Sequence, residues 1–203
     1  MRVENKEEAM SSAASMVEHA EKLGVLRREA EPRAGGALSE GWLKLLTAVA
    51  ANVRMLLVAL WLGAAVFFSF AVAPAAFAVL PSRELAGAMV TRTLAVVNVG
   101  GFIVALFGLL TMPLAVRAAG RFTMWAQSAS LVVLAAVTAV GHWVIAARLA
   151  EMRAAMRGTI DALAQNDPAR VAFNALHGYS VAALLVGMLA ALAAFFVMAR
   201  RRQ

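Results

Sequence analysis

The side chains able to do chemistry in this chain are few. There are three histidines and no cysteine. His142 and His177 fall inside long uncharged stretches, and so do Asn98, Asn174 and Ser180. Asn98 is six residues from Arg92, His142 six from Arg148, His177 seven from Arg170, and Pro74 seven from Pro81. On helices each would lie about 9–10 Å below its boundary. Neutral imidazole ligates copper, zinc or haem iron. Pro74 cannot donate to the carbonyl of Phe70, which leaves an acceptor at that depth. Asn174 and Ser180 flank His177 at helical spacing and share roughly its face. The pattern predicts a small ligand site lined by Asn98, His142, Asn174, His177 and Ser180, with Pro74 at the same depth. His142 and His177 are the candidate metal ligands, and Arg92, Arg148 and Arg170 ring the mouth. The same residues would also serve as interhelical hydrogen-bonding glue in lipid. Spacing sets their depth but not the direction they face.

Other chemistry is excluded or unsupported. Without cysteine there are no disulfides, thiolate nucleophiles or Cys-ligated metal centres. Gly178-Tyr179-Ser180-Val181-Ala182 echoes a nucleophile elbow but lacks the preceding strand that the elbow needs. Gly35-Gly36 and Gly100-Gly101 do not form a phosphate-cradling loop. Paired carboxylates are absent from the apolar stretches, which argues against a carboxylate-based proton-coupled carrier. Met89, Met152 and Met156 could offer thioethers to Cu(I), but two of them lie on a packing stripe. No constellation points to an enzyme.

The elements that must position these residues are membrane spans. Of 203 residues, 62% are apolar and 15% charged, against roughly 45–50% and 25% in soluble domains. Four uncharged stretches run at about 55–80, 93–116, 122–147 and 171–199. Each exceeds the roughly 20 residues a helix needs to cross the hydrocarbon, and in lipid each must satisfy its own backbone. The fold class is therefore an all-α membrane protein, a four-transmembrane-helix up-down bundle. Small-xxx-small pairs such as Gly101/Ala105 and Gly187/Ala191 allow close helix approach, and Trp42, Trp125 and Trp143 fall near interfaces.

Residues 1–40 form a hydrophilic tail and 41–203 the transmembrane domain. The tail carries six Lys/Arg against eight Asp/Glu, the remainder thirteen against four. That excess sits at span ends, as anchors, and is not a nucleic-acid footprint. Asn5-Lys6-Glu7-Glu8 resembles a capping box, and Met10, Ala13, Ala14, Val17 and Ala20 recur at helical spacing up to Gly24. A short helix ending at Gly24 is predicted, then a linker over 31–41. The tail lacks a signal-peptide pattern. Leu149, Met152, Met156, Ile160 and Leu163 form one stripe, so helix three extends past the membrane as an amphipathic segment. Asp167 and Pro168 then open the last helix. Eight Lys/Arg flank the spans on one side and six on the other. This bias predicts both termini in the cytoplasm of a bacterial inner membrane.

One stretch carries a family resemblance. It reads Leu60-Trp61-Leu62-Gly63, then Phe67 to Pro74, then Phe77 to Gly87, followed by Arg92, with Leu176-His177 and Ser180 later. This resembles the transmembrane protein 205-like family, a domain of unknown function, over about residues 45–197. The resemblance implies four transmembrane helices and no established enzymatic activity. Its family-typical positions here are Gly63, Phe67, Pro74, Phe77, Pro81, Gly87, Arg92 and His177. Three functions stay open. The protein binds or moves a metal or small solute through a periplasm-facing pocket. Alternatively, it holds haem between His142 and His177 as a redox protein. Or it is a structural membrane protein, a homo-oligomer in the bilayer or one whose N-terminal helix recruits a cytoplasmic partner.

Overall fold

The computed structural model describes residues 4–112, 121–155 and 163–200. Helix α1 runs over Glu4–Phe67, a π-helical segment over Phe68–Val72 and α2 over Ala73–Val79. Next come α3 (Arg83–Leu110), α4 (Arg121–Ala139), a second π-helical segment (Val140–Ala146), α5 (Ala147–Ala155) and α6 (Pro168–Arg200). No strand occurs among the described residues. Four stretches are long and apolar enough to cross a membrane: Gly41–Val79, Arg83–Leu110, Arg121–Ala155 and Pro168–Ala199. The protein is therefore an all-α, multi-pass membrane protein. Large apolar side chains such as Phe70, Val96, Ile103, Val132 and Leu189 stay exposed along these spans, as a lipid-facing surface requires.

The chain divides into two compact units, Met1–Ala48 and Val49–Gln203. In the first, the backbone is helical throughout its described part, including the expected stop at Gly24 and the expected linker at 31–41. A glycine weakens a helix by about 1 kcal/mol relative to alanine, but it ends one only by taking a left-handed cap conformation. No described glycine has a positive φ. Val17 and Ala20, from the expected apolar stripe, are exposed.

In the second unit the helix boundaries follow local chemistry. Leu80 is extended, with ψ 142°, as a residue before proline tends to be. Ser82 then caps α3 by accepting from the Leu85 N–H at 3.2 Å. Asp167 caps α6 as its spacing predicted, accepting from the Ala169 N–H at 2.8 Å with Pro168 first in the helix. Asp167→Ala is expected to lower unfolding free energy by about 1 kcal/mol, read as a lower melting temperature in detergent. Pro74 lies in the first turn of α2, just after the first π-helical segment. There the Ala73 N–H reaches back five residues to Phe68, a widened turn that accommodates the missing proline donor. The helix-three extension is present as α5, and Leu149 and Met152 of its stripe pack with Phe173. Met156 and Ile160 lie outside the described residues.

The core draws on all four spans. Val58, Trp61, Ala65 and Phe68 meet Ala105, Leu131, Leu134, Leu184, Met188 and Ala191 in one cluster. Three glycines fix how α3 and α4 pair. An added Cβ would fall 3.0 Å from Asn98 at Gly141, 2.8 Å from Thr138 at Gly101 and 2.9 Å from Leu131 at Gly108. Three residues separate the first two pairs on each helix, and seven the next two. This is a regular antiparallel register. Gly187 of α6 sits against Val137, Leu134 and Trp61 in the same way.

Candidate functional site

The bundle has two ends, here called the Arg92 end and the Arg121 end. Its buried polar side chains are Arg54, Asn98, Gln127, Thr138 and Ser180 among the described residues. Asn98 is 5% exposed and packs on the bare backbone of Gly141. Gly141 lies in the second π-helical segment, which packs against α3 and α6. Such segments reposition neighbouring side chains within an otherwise regular helix. The next residue is His142. Its Nδ1 is sealed from solvent and has no hydrogen-bond partner among the described residues. The His142 ring lies edge-on to Trp143 at 5.0 Å, and Trp143 edge-on to Phe102 at 5.1 Å. Counting along α6 from Gly187, Ser180 lies within about one helical turn of His142 in depth. Thr138 is not available to a ligand, because its hydroxyl donates to Leu134 at 2.7 Å and Ala135 at 3.2 Å on its own helix.

Of the nine residues the spacing selected, Asn98, His142 and Ser180 share this region. The other six do not join them; Arg170 donates to the Leu163 carbonyl at 2.7 Å. His177 is exposed and makes no hydrogen bond or ring contact with His142. The register puts it about 5–8 Å nearer the Arg92 end than His142. Asn174 and Pro74 are exposed, as is Arg92. Arg148 is 68% exposed and pairs with Glu151 on its own helix at 2.8 Å. The physical reason is register: each depth was counted from a separate boundary, and the boundaries on different helices are not level. Arg153 ties helices together at this end. Its guanidinium donates to the Thr91 hydroxyl at 3.2 Å and lies 5.2 Å over the Phe173 ring. Among the described residues, no three His, Asp or Glu side chains come together as a metal would require.

Sequence reasoning missed two residues at the other end. Arg54 was counted as a flank but is 2% exposed, inside α1. Gln127 is fully buried, and neither its Oε1 nor its Nε2 has a partner among the described residues. A buried polar group left unsatisfied costs about 1–3 kcal/mol, so such a side chain needs an explanation. The signal was present in the spacing. Arg54, Val58, Trp61, Ala65 and Phe68 form one helical stripe, and so do Gln127, Leu131, Leu134 and Thr138.

A family model described as "Domain of unknown function (DUF4149)" matches residues 56–158, half of the chain. The chain belongs to this family. The DUF4149 match takes in Asn98, His142 and Gln127 and stops before α6. No curated protein and no solved structure matches the chain.

Proposed function

We propose that this DUF4149 protein is a multi-pass protein of a bacterial cytoplasmic membrane, with both termini inside, which binds a small hydrogen-bonding solute. The solute sits in the extracytoplasmic half of the bundle. One observation carries the reading: Asn98 is buried against Gly141 beside His142, whose Nδ1 is sealed and without a partner among the described residues. The Asn98 amide supplies a donor and an acceptor, and His142 supplies a ring nitrogen. Ser180 adds a hydroxyl from α6 within about a turn. The transmembrane protein 205-like resemblance accords with a four-helix bundle of this kind.

A solute fits better than a shared metal or haem. His177 is exposed and shallower than His142, so the two imidazoles do not form a pair. No three donors converge among the described residues.

The test is native mass spectrometry of the protein released from its own membranes, beside Asn98→Leu and His142→Phe. The wild type is expected to carry a small polar molecule that both variants lose. Melts of the same three proteins with zinc, copper or haem alone are expected to show no selective shift for the wild type. If all three proteins are empty and each variant loses only the roughly 0.6 kcal/mol of an interhelical hydrogen bond, these side chains are packing glue and the proposal fails.

A further inference from the structure

The polar group of Asn98, His142 and Ser180 lies between two apolar layers. Towards the Arg92 end, Ile145 and Leu149 of the third span and Phe173 of α6 are buried in one cluster, with Leu176 and Met152 packed on it. Val90 and Leu94 stand on the same side of Asn98 along α3. No buried polar side chain lies between the group and the Arg92 end among the described residues. Towards the Arg121 end, Ala105, Leu131, Leu134 and Leu184 belong to the main core. On the α1 side, Trp61 rests on Gly100 and Gly101 and donates to the Val97 carbonyl, next to Asn98.

The remaining side is the groove between α3 and the third span. There the His142 ring lies edge-on to Trp143 at 5.0 Å, and Trp143 edge-on to Phe102 at 5.1 Å. Trp143 is 54% exposed, and Phe102 and His142 are half-buried. Within a membrane span such exposure is exposure to lipid. The pairing of Gly141 with Asn98 sets this aromatic row at the depth of the polar group. The row leads from lipid to the sealed His142 Nδ1. No charge meets an occupant here. Arg92 is exposed, Arg148 pairs with Glu151, and Arg153 is held at Thr91, seven residues from Asn98 on α3. A carboxylate or phosphate would be buried without a counter-charge, which an apolar surround penalises heavily.

We infer that the Asn98–His142 site is entered sideways from the bilayer, past Phe102 and Trp143, and takes a neutral, lipid-soluble ring compound of the quinone or quinol type. This rests on the reading of Asn98 and His142 as a solute site. An imidazole nitrogen donates or accepts according to the tautomer. Nδ1–H donates to a quinone carbonyl, and a bare Nδ1 accepts from a quinol hydroxyl. The Asn98 amide has both a donor and an acceptor and serves either form. The rings of Trp143 and Phe102 favour a planar ring over a flexible chain.

The chain has no cysteine, so an introduced thiol reports only on itself. Full-length His142→Cys in phosphatidylcholine nanodiscs, with both faces open to solution, is treated with a lipid-soluble maleimide or a charged methanethiosulfonate. Each rate is scaled to that of the exposed Arg148→Cys with the same reagent. On this scale the charged reagent is expected to be at least about tenfold slower, because it must enter hydrocarbon. If His142→Cys folds poorly, the near-isosteric Ser180→Cys gives the same comparison. The class of occupant is read from melts with decylubiquinone or decanol. Decylubiquinone should raise the melting temperature of the wild type but not of Asn98→Leu or His142→Phe, and decanol should raise none. A charged reagent as fast as the maleimide, or a water-soluble occupant in the native mass spectra, overturns sideways entry and leaves the solute site standing. A wild type that ignores decylubiquinone, an equal response to decanol, or a shift in all three proteins overturns the quinone class. If the native mass spectra are empty for all three proteins and no probe shifts the wild type, the underlying solute reading fails as well.

Discussion

Trp61→Ala is expected to lower the unfolding free energy of the bundle by about 3–5 kcal/mol, the range for truncating a buried tryptophan. Trp61 is 5% exposed and lies where the spans meet. Its ring rests on Gly100 and Gly101 of α3 and on Gly187 of α6. Its indole Nε1 donates to the Val97 carbonyl at 2.8 Å. Alanine would remove both the ring and the bond, and the glycines that admit the ring have no side chains to fill the space. Trp61→Phe separates the contributions: it keeps most of the volume and should lose about 1 kcal/mol, the share of one hydrogen bond. Reversible unfolding in mixed micelles measures all three proteins. If Trp61→Ala stays within about 1 kcal/mol of the wild type, the ring is not what holds the spans together and the core cluster is misjudged.

The four spans were legible because hydrocarbon leaves the chain little choice: a charge-free run long enough to cross must be a helix. The cap at Asp167 was legible for a similar reason, since a side-chain oxygen before a helix start has one strongly favoured use. The candidate site was legible only in part, and the failures share one cause. Counting residues from the nearest arginine gives depth within one helix. It does not level one helix against another. His142 and His177 looked equally deep, yet pairing through Gly187 sets them about a turn apart. Exposure was not legible either: His177 falls at the helical spacing of the buried stripe through Phe173, Ser180, Leu184 and Gly187 of α6, yet it is exposed. Arg54 was read as a boundary because it is charged, although its stripe with Val58 and Trp61 points inward. The glycines that set the register carry no side chain to signal it, so a pairing such as Gly141 with Asn98 is invisible until the helices are side by side.

Those glycines also provide the second large effect, because one substitution should change sign with position. At Gly101 an added Cβ would lie 2.7 Å from two indole atoms of Trp61 and 2.8 Å from the Thr138 Cγ2. Neither neighbour is a free end. The indole is held by Val97, and the Thr138 hydroxyl is held by Leu134 and Ala135. Relief therefore requires the helices to separate, and Gly101→Ala should lose about 1–3 kcal/mol to overpacking. At Gly108 the added Cβ meets chiefly the terminal methyls of Leu131, which can swing, so the loss there should be smaller. At Gly63 and Gly178 nothing lies within 4 Å, and alanine should stabilise by up to about 1 kcal/mol through helix propensity. The decisive measurement is a double-mutant cycle between positions 61 and 101. With Trp61 already replaced by alanine, Gly101→Ala should lose most of its penalty, a coupling of about 1–3 kcal/mol between residues in contact. If the two substitutions simply add, the indole does not lie against Gly101, and the pairing of α1 with α3 is wrong.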